Sequence, residues 1–232
     1  NAIQQSLPDP AQYTIRDNFQ LEALHLNPNS DTPPLVFIHG SLANLWNPFK
    51  QLQQLSPEHE LLTYSLAGNG NSDGTGTHTV TDHVRDLRQL LERCDISNPI
   101  LHGWSFGVPI ALEYAKQYSS QGLILYGGMI EAETTIFDKL LSFAALKAGL
   151  VGNPLFNSFV RTALSYTALS PETPPERRSQ AYKCNPVPNR RSAWLAETGF
   201  REYCGRPVDD LTVPALVVAG EDDKLVPPST SR

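Results

Sequence analysis

A serine flanked two positions away on each side by glycine is the feature of this sequence with the clearest chemical potential. The segment Gly103-Trp104-Ser105-Phe106-Gly107 follows a short apolar run and precedes a segment with helical character. A G-x-S-x-G pattern between a strand and a helix is typical of a very tight turn that strains the serine backbone. The glycines are required because side chains at their positions would collide. Ser105 is therefore predicted to be a nucleophile that attacks acyl carbons.

Attack by a serine on an acyl carbon creates a negatively charged oxygen, which needs two positioned hydrogen-bond donors. The backbone N–H of Phe106 is predicted to be one donor, because this residue directly follows the nucleophile. The second donor is predicted to be the backbone N–H of Ser41, in the loop His39-Gly40-Ser41 after an apolar run. His39 precedes the nucleophile and is interpreted as a residue that braces this loop, not as the general base.

A carboxylate is also needed, to orient the histidine that removes the serine proton. The segment from Gly220 to Asp223 follows a late apolar run and contains three neighbouring acids. Asp223 is the favoured triad acid, Asp222 is the next candidate, and Glu131 is a more remote one. Each of these carboxylates could also be an ordinary solvated turn residue.

Strand-like and helix-like segments alternate along most of the chain and would position these side chains. The alternation predicts an α/β protein with a mostly parallel sheet and helices on both faces. Helices are predicted at about 46–55 and 80–93 and after residue 107. Strands are predicted at 21–26, as an edge strand, and at 35–38, 61–66, 100–102, 123–126 and 215–219.

The alternation stops between residues 131 and 206, where apolar helical segments are interrupted by prolines. About 75 residues is far more than one crossover connection needs. We therefore predict a helical lid at 131–206, inserted into a core formed by residues 1–130 and continued by residues 207–232.

Composition limits the classes of partner. The chain has 232 residues, 40% of them hydrophobic, and a net charge of −6 without a basic stripe, so nucleic acid is a poor candidate. No apolar run reaches the roughly 18 residues of a membrane span, and a cytoplasmic location is expected. The three cysteines, Cys94, Cys184 and Cys204, lack metal-ligand spacing, so neither a metal nor a cofactor is predicted. The oligomeric state is not predicted.

These motifs together resemble the α/β-hydrolase superfamily, in the large group that carries a helical lid. The loop at 39–41, the glycine-rich turn at 65–73, the serine turn and the acidic loop at 220–223 occur in the order of that family. The resemblance implies the α/β-hydrolase fold, and it supports Asp223 as the acid and Ser41 and Phe106 as donors. Two departures are Asn69, where relatives usually have histidine, and Val108-Pro109, where many have a further glycine.

The resemblance also implies a general base: a histidine roughly 25 to 30 residues after the acid, beyond one more helix and strand. None of the six histidines follows Asp223. The sequence is therefore expected to lack the last helix, the last strand and the histidine loop, and to be inactive as given. His102 lies three residues before Ser105, but it is expected on a buried strand and directed away from the serine.

The expected function is a serine hydrolase that acts on a small-molecule acyl substrate, a carboxylic ester, through an acyl-enzyme intermediate. Other reactions on the same scaffold are carbon–carbon bond hydrolysis, thioester or amide cleavage, and acyl transfer, and the fold alone does not separate them. A non-enzymatic ligand receptor and a degenerate structural relative are further alternatives.

Overall fold

The computed structural model describes residues 7–28, 30–41, 43–74, 78–128 and 211–221, and residues 153, 155, 158, 172–176, 178, 203 and 223. Three helices have both of their ends within this part of the chain: α1 (Phe49–Leu55), α2 (Val80–Arg93) and α3 (Gly107–Gln117). The strands are β1 (Ala11–Arg16), β2 (Phe19–Leu26), β3 (Leu35–Ile38), β4 (Leu61–Tyr64), β5 (Ile100–Trp104), β6 (Gly122–Tyr126) and β7 (Ala215–Val218).

The seven described strands form one sheet with the spatial order β1-β2-β4-β3-β5-β6-β7. Strand β2 is antiparallel to both of its neighbours, whereas β4, β3, β5, β6 and β7 are parallel to one another. The mostly parallel sheet predicted from the sequence is confirmed. After β3 the chain crosses to β4 on one side and then returns to β5 on the other. Such a reversal creates a crevice at the carboxyl ends of the adjacent strands.

The prediction that residues 21–26 form an edge strand is wrong, because β1 covers that edge. Strand β2 lies between β1 and β4, and Ala11 and Tyr13 pair with Ala23 and Leu21. Asp17 and Asn18 connect β1 to β2 with φ angles of 22° and 65°. An Asp-Asn pair tolerates this left-handed conformation, so β1 and β2 form a hairpin that the alternation in β1 alone did not reveal.

Four boundaries differ from prediction by two or three residues. Strand β2 begins at Phe19, strand β4 ends at Tyr64, strand β5 continues through Trp104, and helix α1 begins at Phe49. The extension of β5 matters for function, because it brings the sheet up to the residue before Ser105.

The sheet separates two hydrophobic cores. Val36 and Ile38 of β3 face the larger core, to which α2 and α3 also contribute. Phe37, between them in sequence, faces the smaller core together with Leu52 of α1. Side chains that alternate between two covered faces explain why the central strands read as continuous apolar runs. The predicted helices on both faces are confirmed.

Helix α2 begins at a capping box. The Thr79 side chain accepts a hydrogen bond from the backbone N–H of Asp82, and the Asp82 carboxylate accepts one from the backbone N–H of Thr79. This arrangement pairs two N–H groups near the helix start. The buried face of α2 includes two polar side chains, His83 and Asp86, besides its aliphatic ones.

The predicted lid, residues 131–206, lies outside the described residues except for isolated positions, and it stays a prediction together with its domain boundaries. Among the helices of the described part, none has the length and apolar character needed to cross a membrane.

Candidate active site at the carboxyl ends of the parallel strands

Ser105 lies at the turn between β5 and α3 in the strained conformation that the sequence predicts. Its φ angle is 51°, in the left-handed region that residues with a Cβ rarely adopt. The backbone N–H of Ser105 donates to the carbonyl of Tyr126 at 3.0 Å, and its own carbonyl accepts from Val108 at 3.0 Å. The pairing of β5 with β6 therefore extends into the turn and holds the partly exposed serine in place.

The two glycines of the turn are needed for the reason that the motif suggests. A Cβ on Gly103 would lie 2.6 Å from the carbonyl oxygen of Gly107, and one on Gly107 would lie 2.2 Å from the carbonyl oxygen of Ile38. Both distances are far below van der Waals contact and involve backbone atoms. The start of α3 therefore packs directly against β5 and against the end of β3.

The loop after β3 contacts the serine turn. A Cβ on Gly40 would lie 2.9 Å from the Cβ of Ser105 and 3.0 Å from the Trp104 ring, so the two backbones approach closely. Ser41 follows at an exposed position. On the other side of Ser105, Phe106 is buried and occupies the N-cap position of α3. Gly40 and Ser105 therefore lie next to each other. Each is directly followed by a residue predicted to supply an oxyanion donor, Ser41 and Phe106 respectively.

His39 braces this loop with both ring nitrogens. Its Nε2 accepts from the backbone N–H of Leu66 at 2.9 Å, so the proton lies on Nδ1, which donates to the carbonyl of Gly40 at 2.7 Å. Burial lowers the pKa of His39 to about 4, which keeps the ring neutral at physiological pH. Its hydrogen bonds join the loop after β3 to the loop after β4, as expected of a bracing residue.

Asp223 lies at the same edge of the sheet, beyond β6. A Cβ on Gly127 would lie 3.8 Å from Asp223 Oδ2 and 3.9 Å from the indole nitrogen of Trp104. Gly127 directly follows β6, and its N–H donates to the carbonyl of Val218 at the end of β7, at 3.0 Å. The Asp223 carboxylate therefore lies near the carboxyl end of β6, at the same edge of the sheet as the serine turn. Asp222 and Glu131, the alternative acids, lie outside the described residues.

Four of the histidines in the described residues have identified roles elsewhere. His39 braces a loop, His25 contacts Glu60 at 2.8 Å, and His78 contacts Asp86 at 2.7 Å. His102 lies in the middle of β5 and packs its ring against Phe37 at 5.1 Å, on the face of the smaller core. Burial lowers its pKa.

Three buried side chains behind the serine turn have the chemistry of metal ligands. The donor atoms of His78, His83 and Asp86 lie within 4.8 Å of one another. However, His78 Nε2 and Asp86 Oδ2 are only 2.7 Å apart, closer than the roughly 3.3 Å between two ligands of a tetrahedral zinc ion. Asp86 is also ion-paired with the guanidinium of Arg16. This geometry is that of a hydrogen-bonded ion-pair cluster, so we assign no metal to it.

A family model for the alpha/beta hydrolase fold matches residues 33–232. The chain therefore belongs to the α/β-hydrolase fold family.

Several characterised proteins are similar to this chain. It is 27% identical to a proline iminopeptidase of Lactobacillus delbrueckii subsp. bulgaricus, with 93% of this chain and 83% of that protein covered. It is also 27% identical to a monoacylglycerol lipase of Mycolicibacterium smegmatis, with 88% and 75% covered. A thermophilic esterase from Thermogutta terrifontis superimposes with a TM-score of 0.80 at 18% identity, over 97% of this chain and 84% of that one, which shows a shared fold. Family and relatives together support a hydrolase.

Two buried carboxylates near the site, those of Glu22 and Asp86, are not predicted from the sequence. Glu22 accepts hydrogen bonds from Ser65 Oγ at 3.0 Å and from the backbone N–H and Nδ2 of Asn71 at 3.0 and 2.7 Å, and so fixes the glycine-rich loop after β4. Asp86 holds Arg16 and His78 together. The available signal was an acid within an otherwise apolar strand or helix face, because a buried carboxylate requires partners.

Proposed function

We propose that this protein is a serine hydrolase that cleaves carboxylic esters of small acyl substrates. The observation that carries the proposal is the left-handed Ser105, held at the carboxyl end of β5 with the Gly40 backbone packed against it. Backbone strain of this kind costs of order 1–3 kcal/mol and persists where the surrounding structure enforces it. A serine that is strained, glycine-flanked and partly exposed at a crevice is suited to attack a bound ligand.

In the proposed mechanism, Ser105 Oγ attacks the acyl carbon while a histidine removes its proton. The carbonyl oxygen becomes an oxyanion, which accepts hydrogen bonds from the backbone N–H groups of Ser41 and Phe106. The Asp223 carboxylate orients the histidine and stabilises its protonated form. The same histidine then protonates the leaving alcohol, and water releases the acid from the acyl-enzyme.

The proposed base is a histidine that these 232 residues do not supply. No histidine follows Asp223 in the 232 residues, and His39 uses both ring nitrogens within its loop. His102 is committed to β5 and packs on Phe37. We therefore expect the 232-residue chain alone to show little activity that depends on the triad, and the same chain joined to a segment that supplies the histidine, called the extended protein below, to be active.

Amide cleavage is the second candidate reaction, because a proline iminopeptidase is among the relatives that align over most of this chain. Both reactions use the same nucleophile and oxyanion donors, and they differ in the leaving group. Parallel assays of p-nitrophenyl butyrate and proline p-nitroanilide separate them. Turnover of the anilide in preference to the ester would overturn the ester proposal and leave the nucleophile assignment standing.

The central test is replacement of Ser105 by alanine in the extended protein, assayed with p-nitrophenyl esters. We expect Ser105→Ala to reduce kcat by at least about 10³-fold, because the covalent route is lost. The matched control is Ser97→Ala, at an exposed serine before β5, which should retain wild-type kcat. Retention of kcat in Ser105→Ala would remove Ser105 as the nucleophile.

The same assay decides between the neighbouring acids. Asp223→Asn should lower kcat by about 10⁴-fold, the cost of losing the carboxylate that orients a triad histidine. Asp222→Asn is the matched control, with an effect of less than about threefold. The opposite ranking would transfer the acid role to Asp222.

A further inference from the structure

A chain of stacked side chains connects the hairpin edge of the sheet with the residue that follows the nucleophile. The guanidinium of Arg16 lies 4.3 Å from the centre of the Phe19 ring, and Phe19 stacks on His78 with 6.0 Å between ring centres. His78 lies 4.7 Å from His83, whose ring meets Phe106 in a T-shaped contact at 5.6 Å. The contacts join β1, β2, the start of α2 and the serine turn.

Ion pairs fix the part of this chain that is remote from the turn. The Asp86 carboxylate is almost completely buried and accepts from both the guanidinium of Arg16 and Nε2 of His78, the latter at 2.7 Å. A buried carboxylate held by a guanidinium and an imidazole is costly to disturb, because removing either partner leaves its charge less well compensated. The His78 ring is therefore held in one orientation against Phe19 and His83.

The uncharged ring of His83 lies between this ion-pair cluster and Phe106 of the serine turn. It is buried on α2 close to four titratable groups, those of His78, His39, Asp82 and Asp86. Burial, together with His78 and His39, holds the pKa of His83 well below its ordinary value. Its contact with Phe106 is accordingly made by an uncharged aromatic ring of fixed position.

We propose that His83, held by the Arg16–Asp86–His78 cluster, is a positioning residue that sets the backbone of Phe106 at the serine turn. This inference rests on the proposed function in one respect, which is that the positioned Phe106 N–H donates to the oxyanion. Phe106 is 2% exposed and is the N-cap residue of α3, so a shift of its packed ring moves its own backbone N–H as well. Misplacement of a catalytic group by about 1 Å can cost 10²-fold in rate.

The test compares three variants of the extended protein, with both kinetics and the ¹H–¹⁵N resonance of the Phe106 amide as readouts. In His83→Leu, which removes the aromatic edge, we expect a shifted Phe106 resonance and a kcat about tenfold lower with KM within about twofold. In His83→Phe, which keeps a ring against Phe106, kcat should stay within about threefold of wild type. Leu52→Val, a cavity in the smaller core on the opposite face of the sheet, is the control for general destabilisation.

A second pair of variants replaces Arg16, the partly exposed member of the cluster, so that the test does not depend on a substitution in the core. Arg16→Gln should move the Phe106 resonance in the same direction as His83→Leu, by a smaller amount, and Arg16→Lys should restore it. Because loss of the His83 ring also removes its ring current at the Phe106 amide, Arg16→Gln is the deciding variant, and the inference is overturned if it does not shift that resonance more than Leu52→Val does. It is also overturned if kcat falls equally in Leu52→Val.

The two proposals fail separately in this design. The amide resonance reports the coupling of His83 to Phe106 without any reference to catalysis, and it can be measured in Ser105→Ala as well. A shifted resonance with unchanged kcat would contradict the role of the Phe106 N–H as an oxyanion donor. An unshifted resonance with a Ser105-dependent kcat would contradict only the positioning role of His83.

Discussion

At the scale of single residues, the candidate site combines a strained serine, the proposed nucleophile, with a histidine that is kept neutral. Ser105 holds its left-handed backbone because its N–H is bonded to Tyr126 and because the flanking glycines allow α3 to begin against β3. His39 ties the neighbouring loop to Leu66. These contacts fix the backbone of the serine turn and that of the loop after β3, which flank the predicted position of the oxyanion.

The depressed pKa of His39 leads to a pH-dependent stability. The folded protein binds a proton at His39 only near pH 4, whereas the unfolded chain binds it near pH 6.5. Between these values the unfolded state holds more protons, so the free energy of unfolding must decrease as the pH falls from 6.5 toward 4, by about 3 kcal/mol for this group. Urea unfolding of wild type and His39→Gln, measured from pH 8 to pH 4, checks the effect.

We expect His39→Gln to be less stable at pH 8, because a single amide does not replace both ring hydrogen bonds. We also expect its stability to depend less steeply on pH in the acidic window, since the titrating group is gone. Parallel pH profiles for the two proteins would show that His39 is not the source of the acid sensitivity.

At the scale of elements, helix α2 contributes both a buried face and the positioning cluster. Its start depends on Thr79, whose side chain and whose partner Asp82 satisfy two backbone N–H groups. His83 and Asp86 lie within the first two turns after that cap. Fraying at the start of α2 would therefore reach the contact with Phe106.

Replacement of the cap residue should destabilise the whole protein. We expect Thr79→Ala to lower the free energy of unfolding by about 1 kcal/mol, through loss of the hydrogen bond to the Asp82 N–H. Thr81→Ala, an exposed site two residues along the same helix, is the matched control and should change stability by less than about 0.5 kcal/mol. Equal effects in chemical denaturation would contradict a capping role for Thr79.

The sequence predicts helices and strands well where the spacing of apolar residues agrees with the capping or turn residues at the ends of the segment. Helix α2 matches its predicted bounds because a capping threonine precedes a regular apolar stripe. The apolar runs of β3 and β6 are also found as strands; β3 is covered on both faces, whereas β6 buries one face through Leu123 and Leu125. Strand β1 was missed because only Ile15 on it is buried, and the Asp17–Asn18 turn was the overlooked signal.

The candidate site is predictable in part, for a related reason. The motif fixes the backbone of the serine turn through local sterics, so Gly103 and Gly107 can be interpreted from the sequence alone. The contact of Arg16 with Asp86 cannot, because the partners are 70 residues apart and meet only through the hairpin that β1 forms. The effect of His83 on Phe106 likewise depends on how α2 packs beside α3.

At the scale of the whole molecule, the strands of the described sheet differ in how well they are shielded from solvent. Strands β3 and β5 lie at its centre with neighbours on both sides. Strand β7 is the last strand of the described sheet, and Leu216 and Val217, which point to opposite faces, are 58% and 52% exposed. An end strand with little cover on either face has few contacts that resist local opening.

Amide hydrogen exchange should reveal this gradient in the 232-residue chain. We expect the amides of β3 and β5 to exchange only by global unfolding, and those of β7 to exchange through local opening that requires at least about 2 kcal/mol less. Native-state exchange followed by NMR or mass spectrometry measures both. Equal protection of β7 and β5 would mean that the sheet opens as one unit.

The order of the strands also places the proposed catalytic residues in two separate parts of the sheet. Ser105 and the loop that contains Ser41 are built on adjacent central strands, whereas Asp223 follows the last described strand. Changes around the acid can therefore accumulate without disturbing the nucleophile, while changes beneath the nucleophile endanger the fold itself.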